Sequence, residues 1–540
     1  MAVKRWVTYW RMKFSDQQTF MIKNKKITKI QLGFWLFFAF MAVYYGWRMF
    51  QITPWYDELY TYYCFISKGP VYAAIHWPLP NNHVGYSVLS GFLDLLGNSY
   101  IGLRGVSYLC ALANLYFLFK IGRENVREEI ALCGVLLYAA MELVNQMAIQ
   151  GRGYTLGVTC MLAAFLCLQK ICTEKQPSRW TFILYAGALV LGLYDVSSNV
   201  YWVIPLCLGG GVYLLPFLLG RKQEETGFRR RLLQLVIASL AAALLTILLY
   251  GVIWLAIGSN LLVKDETGIY YGMSHVKMIF SAPFAALQRG MQYMLDTPYI
   301  QSEAGEGFLA RLLEFFVVLA GSYLPSLKWP ALILFVGGGA GLIALYIKKR
   351  SPLTIFLIFQ IFFVPVCLLI QCKRPYYRVF TYGGAVLSLL FMVLAGYVLE
   401  KLKKESQIGR CSLLLLAVLT VFSLYTLLST AKDQFGEREN EIRQVLSHAT
   451  ISEDGNYCVT DCNQQYLLFF LYGIRCEDTQ IEGKDMVILD ERMTDPKFRE
   501  MVWEFYQYYD TIPWEYINKQ MTESYRSSHY ILYERKDRKG

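Results

Sequence analysis

Two carboxylates stand side by side in Thr53-Pro-Trp-Tyr-Asp-Glu-Leu-Tyr-Thr-Tyr-Tyr63, directly after an apolar run long enough to cross a bilayer. A carboxylate in that place can accept the proton of an attacking hydroxyl or amide, which makes Asp57 and Glu58 candidate catalytic groups. Successive helical positions point about 100° apart, so the pair cannot share one face. One is expected to be the base and the other to orient or pack. A structural reading stands beside this one: Thr53 can cap a helix that begins with Pro54, and acids in a first turn complement its positive end.

The basic residues that could answer these carboxylates lie near the ends of apolar runs. Arg104 sits in YIGLRGVSYL, Arg152 in AIQGRGYTLG, and Arg374 and Arg378 in CKRPYYRVFTY. Arginine suits bidentate capture of phosphate, and a neighbouring tyrosine such as Tyr377 can stack or donate beside it. Snorkelling to the interface is the competing account for each arginine taken singly. Together they suggest a site for the phosphate of a lipid-linked substrate. The stretch HWPLPNNHVGYSVL adds His76, Asn81, Asn82 and His83, with Asn82 and His83 as candidate substrate contacts. Asn81 or Asn82 capping the helix that starts near His83 is the simpler reading, and two histidines without a third ligand are a weak metal signal.

These residues need a membrane scaffold. The chain has 540 residues, 55% of them hydrophobic, 16% aromatic and 17% charged, with mean hydropathy +0.33. Eleven spans are expected: Gln31–Phe50, Ile101–Phe119, Ile130–Ile149, Tyr154–Leu168, Trp180–Tyr194, Val200–Leu219, Leu232–Gly258, Trp329–Ile347, Thr354–Ile370, Val379–Leu399 and Cys411–Ser429. His83–Leu96 is too short to span and carries Asp94, while Phe308–Leu324 carries Arg311 and Glu314, so both read as helices lying in the interface. With the N-terminus inside, the Lys- and Arg-rich loops fall in the cytoplasm and the C-terminus lies outside. Residues 1–30 then form a basic cytoplasmic N-terminus and retained signal anchor, and 31–430 the transmembrane domain, with large outer loops at 51–100 and 259–328. The second loop holds Asp265, Glu266 and His275 and is the natural place for acceptor specificity.

Residues 431–540 change character. They are rich in charge and contain strand-like Tyr457–Thr460, Met486–Leu489 and Tyr530–Tyr533, with helices expected at Gln464–Tyr472 and Pro496–Tyr509. This reads as a small extracytoplasmic α/β domain, in which Cys458, Cys462 and Cys476 leave a disulfide open. The other cysteines lie singly in apolar runs. The net charge of +11 sits in short loops between spans, which speaks against nucleic acid. Walker, Rossmann and serine-hydrolase signatures do not stand out. Glycines at 209–211 and 337–341 lie inside spans, where close helix approach accounts for them.

At the same residues the chain resembles the GT-C glycosyltransferases, in particular bacterial relatives of the dolichyl-phosphate-mannose protein mannosyltransferases and the lipid A aminoarabinose transferases. The resemblance rests on Asp57-Glu58, on PNNHVGYSVLSGFLDLLGNSYIGLRGVSYLCALANLYFLFKIGR from Pro80 to Arg123, on QGRGYTLG around Arg152, and on RPYYRVFTY. It covers roughly the first 220 residues well and Arg374–Leu399 moderately. It implies an inverting transfer of a sugar from a polyprenyl phosphate to an extracytoplasmic cell-wall polymer, lipid or protein. Asp57 would be the base, and Arg152, Arg374 and Arg378 would meet the departing phosphate. The plasma membrane is the implied location. Some relatives use a divalent metal and others none, so the resemblance leaves the metal open. Where family members carry His-Pro-Pro this chain has Asn81-Asn82-His83, which argues against protein O-mannosylation. The rival readings are a polysaccharide polymerase or ligase using a lipid diphosphate, and a transporter. Against the transporter, the ionisable residues gather at one boundary and not at the bilayer midplane.

Overall fold

The computed structural model describes residues 19–22, 25–76, 82–215, 225–259, 274–296, 307–348, 350–371, 374–402, 404–452, 454–459, 462–476, 480–495 and 512–538. Asn81, Asp265, Glu266, the side chains of His275 and Cys462, and the helix expected at Pro496–Tyr509 lie outside the described residues.

A ribbon of β1 (Thr19–Ile22) and β2 (Lys25–Thr28) leads into α1 (Lys29–Gln51), whose start is capped by Thr28 Oγ1 accepting from Gln31 N at 3.1 Å. Three short helices follow: α2 (Tyr56–Cys64), α3 (Pro70–Ile75) and α4 (Val84–Asp94). The bundle continues through α5 (Ser99–Asn125), α6 (Glu128–Ala140), α7 (Glu142–Met147), α8 (Tyr154–Thr173), α9 (Arg179–Asp195), α10 (Val200–Leu214), α11 (Glu225–Ser259) and α12 (His275–Asp296). It closes with α13 (Phe308–Tyr323), α14 (Lys328–Lys348), α15 (Pro352–Gln371), α16 (Tyr382–Glu400) and α17 (Glu405–Ser429).

Among the described residues eight helices are long and apolar enough to cross a membrane: α1, α5, α8, α11, α14, α15, α16 and α17. The other three expected spans fall on shorter helices: α9 has 17 residues, α10 has 15, and Ile130–Ile149 is split into α6 and α7, with 13 and 6. A straight helix needs about 20 residues to cross about 30 Å of hydrocarbon. The split comes at Met141, whose backbone is extended at φ −72 and ψ 125. Glu142, Asn145 and Gln146 follow the break directly, but hydropathy taken over the length of a span averages them with the apolar residues on either side. Close approach of helices relies on small residues: Ser388 Oγ on α16 donates to Gly134 O on α6 at 2.7 Å, and a Cβ at Gly134 would run into Met392.

Beyond α17 come α18 (Glu437–Leu446), β3 (Tyr457–Val459), α19 (Cys462–Tyr472), β4 (Met486–Asp490), α20 (Trp514–Gln520), β5 (Met521–Arg526) and β6 (Tyr530–Arg535). The sheet order is β3-β4-β6-β5, parallel between β3 and β4 and antiparallel elsewhere. Strand β5 is absent from the sequence reading because MTESYR presents little apolar alternation. Side chains alternate across the sheet. Cys458, Val487 and Leu489 join Ile517 and Met521 in a small core, while Tyr457, Val459, Met486 and Ile488 belong to the core that runs on into the bundle. The sheet is therefore packed on both faces, one of them by the helical part of the chain.

Candidate active site

The bundle and the C-terminal domain meet around the chain that enters α2. Thr53 N donates to Gln434 Oε1 at 3.2 Å, Thr53 Oγ1 bonds Asn440 Oδ1 at 3.2 Å, and Arg443 Nη1 donates to Gln51 O at 3.0 Å. Thr53 is thus used across the domain junction and does not cap α2. The capping residue is Trp55, whose N–H donates to Glu58 Oε2 at 3.1 Å. The expected start at Pro54 is corrected by two residues.

Glu58 has further work. Its side chain and that of Arg104 are both fully buried, and Arg104 donates to it from Nε at 2.7 Å and Nη2 at 2.9 Å. Arg104 Nη1 also donates to Met49 O and Ile52 O, at 2.9 and 2.6 Å. Glu58 Oε1 accepts from Gly151 N at 2.6 Å, tying α2 to the turn that carries Arg152.

Asp57 faces elsewhere, as the helical angle requires. Its Oδ2 lies 3.0 Å from Arg378 Nη1, with side chains 16% and 23% exposed, so this pair keeps access to solvent where Glu58 and Arg104 have none. Arg378 belongs to the 3-10 turn Tyr377–Phe380 and lies over the rings of Trp55 and Tyr376, with Tyr154 as a hydrogen-bond partner. Arg152 is 3% exposed; its Nη1 donates to Thr61 Oγ1 at 2.7 Å and approaches Asp57 O at 3.4 Å. Its Nη2 lies 3.0 Å from His83 Nε2, and Gly153 N–H donates to His83 Nδ1 at 2.9 Å.

That last bond has a consequence. Because the amide can only donate, Nδ1 accepts and the proton of the neutral ring stands on Nε2, where it meets an Arg152 N–H. Two donors converge on one point, an arrangement an anionic oxygen would satisfy. Burial first, then the charges of Arg152 and Arg378, holds His83 well below its ordinary pKa of 6.5, so the ring is neutral near pH 7.

The remaining candidates are placed differently. Asn82 is no helix cap: its Nδ2 donates to Ala73 O and His76 O, at 3.1 and 2.6 Å, and its Oδ1 accepts from Ser87 Oγ at 2.7 Å, so it fastens α3 to α4. His76 stacks on Tyr72. Arg374 Nη2 lies 4.0 Å from Glu314 Oε2, and the Tyr377 ring stacks on Phe315 with centroids 5.2 Å apart, so both lean on α13. Trp55 and Tyr154 lie within the quoted stretches TPWYDELYTYY and QGRGYTLG but carry no assigned role there; the fold brings both to the site. Among the described residues no three His, Cys, Asp or Glu side chains gather as a metal site. The neighbours of Asp57 are cations and not further metal donors.

Residues 83–254 match the sequence model of the dolichyl-phosphate-mannose-protein mannosyltransferase family. In structure the chain is similar to ArnT from Cupriavidus metallidurans, solved bound to undecaprenyl phosphate. That likeness has 12% identity and a TM-score of 0.57, and covers 93% of this chain and 98% of that one. It is also similar to the Archaeoglobus fulgidus oligosaccharyltransferase solved with zinc and sulfate, at 10% identity and TM-score 0.51, covering 86% of this chain and 69% of that one. No curated protein sequence matches the chain. The architecture is that of a multi-pass membrane protein with the GT-C fold. The matched segment is about a third of the chain and lies within the helical part that these two structures resemble.

Proposed function

We propose that the chain transfers a sugar from a polyprenyl phosphate to an extracytoplasmic acceptor, with inversion and with Asp57 as the base. The observation that carries this reading is the ion pair of Asp57 with Arg378, set beside the converging donors of Arg152 and His83. One carboxylate is placed to take a proton, and three cationic or N–H groups adjoin it to hold phosphate.

In the reaction the acceptor hydroxyl gives its proton to Asp57 while its oxygen attacks the anomeric carbon. The bond from that carbon to the phosphate oxygen breaks, and its electron pair leaves on the phosphate. Charge grows on that oxygen in the transition state, so fixed donors there lower the barrier, each by a factor of about 10² to 10³ in comparable sites. Arg378 and Arg152, with His83 Nε2–H, are the donors for this. The phosphate would compete with Asp57 for Arg378, so binding of the donor substrate frees the carboxylate for the acceptor. Glu58 and Arg104 serve as the support that holds α2 against the Gly151 turn. Arg374 and Tyr377 shape the wall next to α13. The clustering of Lys and Arg between spans supports a cytoplasmic N-terminus, which would put this site outside, and the bonds of Thr53 to Gln434 and Asn440 would keep residues 431–540 on the same side.

The test is transfer from radiolabelled polyprenyl-phosphate sugars to candidate acceptors by the purified protein in lipid. Asp57→Asn is expected to lower the rate by about 10² to 10⁴ with donor binding retained. Equal transfer by parent and variant refutes the base, and indifference to every monophosphate donor refutes the donor class.

A further inference from the structure

Asp195 is 1% exposed, and its carboxyl faces the backbone N–H of Tyr86, in the first turn of α4, and the charge of Arg152. Holding a carboxyl so nearly closed off from water is costly, so its position calls for a reason. It ends α9 and is held there from both sides: Tyr250 OH donates to Leu193 O at 3.1 Å, and Asn199 Nδ2 donates to Gly192 O at 2.8 Å.

What the carboxyl touches is the back of the donor site. A Cβ built on Gly153 would collide with both Asp195 oxygens, so a side chain at 153 requires the Asp195 carboxyl to move. On its other side the Asp195 backbone lies 3.0 Å from where a Gly85 Cβ would stand, in the first turn of α4, a helix with no side-chain cap. Gly153 is the residue whose N–H fixes His83 Nδ1, and it follows Arg152 directly. The carboxyl is thus wedged between the start of α4 and the Gly151–Gly153 turn.

We infer that Asp195 is a positioning residue: by its shape it sets the angle of the Gly151–Gly153 turn, and so aims Arg152 and His83 Nε2–H at the phosphate of the lipid donor. It touches neither substrate nor phosphate. The inference rests on the proposed phosphate site, and it assigns the glycine at 153 to the wedge behind the turn. A small shift of the turn is amplified at the far end of Arg152, where misplacement by about 1 Å costs on the order of 10² in function.

The experiment measures binding of undecaprenyl phosphate to the full-length protein in nanodiscs, with donor KM and kcat alongside. Asp195→Ala is expected to weaken binding about tenfold, carried by KM more than by kcat, while Asp195→Asn, which keeps the shape, stays within about threefold of the parent. Gly153→Ala should weaken binding by about a hundredfold, and the double variant Gly153→Ala/Asp195→Ala should recover about tenfold of that, because the collision is removed. The inference is overturned if Asp195→Asn binds as poorly as Asp195→Ala, or if the double variant is no better than Gly153→Ala. Should Asp195→Ala fail to fold, the asparagine variant alone decides. Arg152→Ala separates the two readings: unchanged binding there refutes the phosphate site itself, whereas weak binding there with unaffected Asp195→Ala refutes only the wedge.

Discussion

Arg104 offers the sharpest contrast between two roles for one residue. As a phosphate ligand it would be dispensable for folding; as the partner of Glu58 it would not. Truncation to alanine removes the donors at 2.7 and 2.9 Å from Glu58, leaving that carboxylate with two of its four hydrogen bonds, those from Trp55 N and Gly151 N. It also strips Met49 O and Ile52 O of their donor. Both side chains of the pair are 0% exposed, so water cannot replace what is lost. Breaking one side of a fully buried pair costs about 3 to 5 kcal/mol. For a chain of this size that is a fall in apparent melting temperature of about 3 to 4 °C. Arg104→Lys, which keeps the charge but not the forked geometry, should fall in between. The assay is thermal unfolding in detergent followed by tryptophan fluorescence, run beside polyprenyl-phosphate binding. An Arg104→Ala protein that melts with the parent but binds the lipid poorly would show that Arg104 is a phosphate ligand and that the argument from burial is wrong.

Because burial and the two arginines depress the His83 pKa, the folded protein takes up fewer protons at that ring than the unfolded chain. Stability from this source is therefore complete above pH 6.5 and declines as pH falls from there towards the lower folded-state value; melting curves should show a slope in that window that His83→Gln reduces, and parallel curves would refute it. Phe470, 2% exposed, sits with its ring centroid 5.1 Å from Tyr62 and 4.8 Å from Tyr100. Phe470→Ala should cost about 3 to 5 kcal/mol and reduce transfer as well, because it loosens the packing against α2; a lowered melting temperature with normal turnover of the folded fraction would separate the domain junction from the site.

The helical architecture and the C-terminal sheet were legible from apolar runs and from the change in composition after residue 430, since both report burial directly. What was not legible is telling. The split at Met141 is marked by Glu142, Asn145 and Gln146, which a span-length hydropathy window averages away, and β5 carries too little alternation to stand out. The caps assigned to Thr53 and Asn82 followed the right residue preferences, but both side chains are used by distant partners, Asn440 in one case and Ala73, His76 and Ser87 in the other. Local propensity cannot see a partner nearly 400 positions away, as in the 387-residue separation of Thr53 and Asn440. Asp195 stands one residue beyond the expected span Trp180–Tyr194 with no motif to mark it, and its contact with Gly153 exists only in three dimensions.

The neighbouring carboxylates show how such a site can be built with few residues. A base needs exposure enough to meet a substrate, and the helix carrying it needs an anchor that does not move when the charge of the base changes. Placing Asp57 and Glu58 on successive positions turns them to different faces of α2, so one backbone segment serves both needs. Glu58 spends its charge inside the protein on Arg104 and on the amide of Gly151, which fixes the helix carrying Asp57 and the Arg152 turn to the same point. Asp57 keeps a partner, Arg378, in a pair that stays partly open to solvent. Exchanging the two, Asp57→Glu with Glu58→Asp, keeps the net charge but shortens the anchor and lengthens the base by one methylene each. The swap should therefore cost both stability and transfer, whereas a site needing only two acidic charges at this entrance would tolerate it.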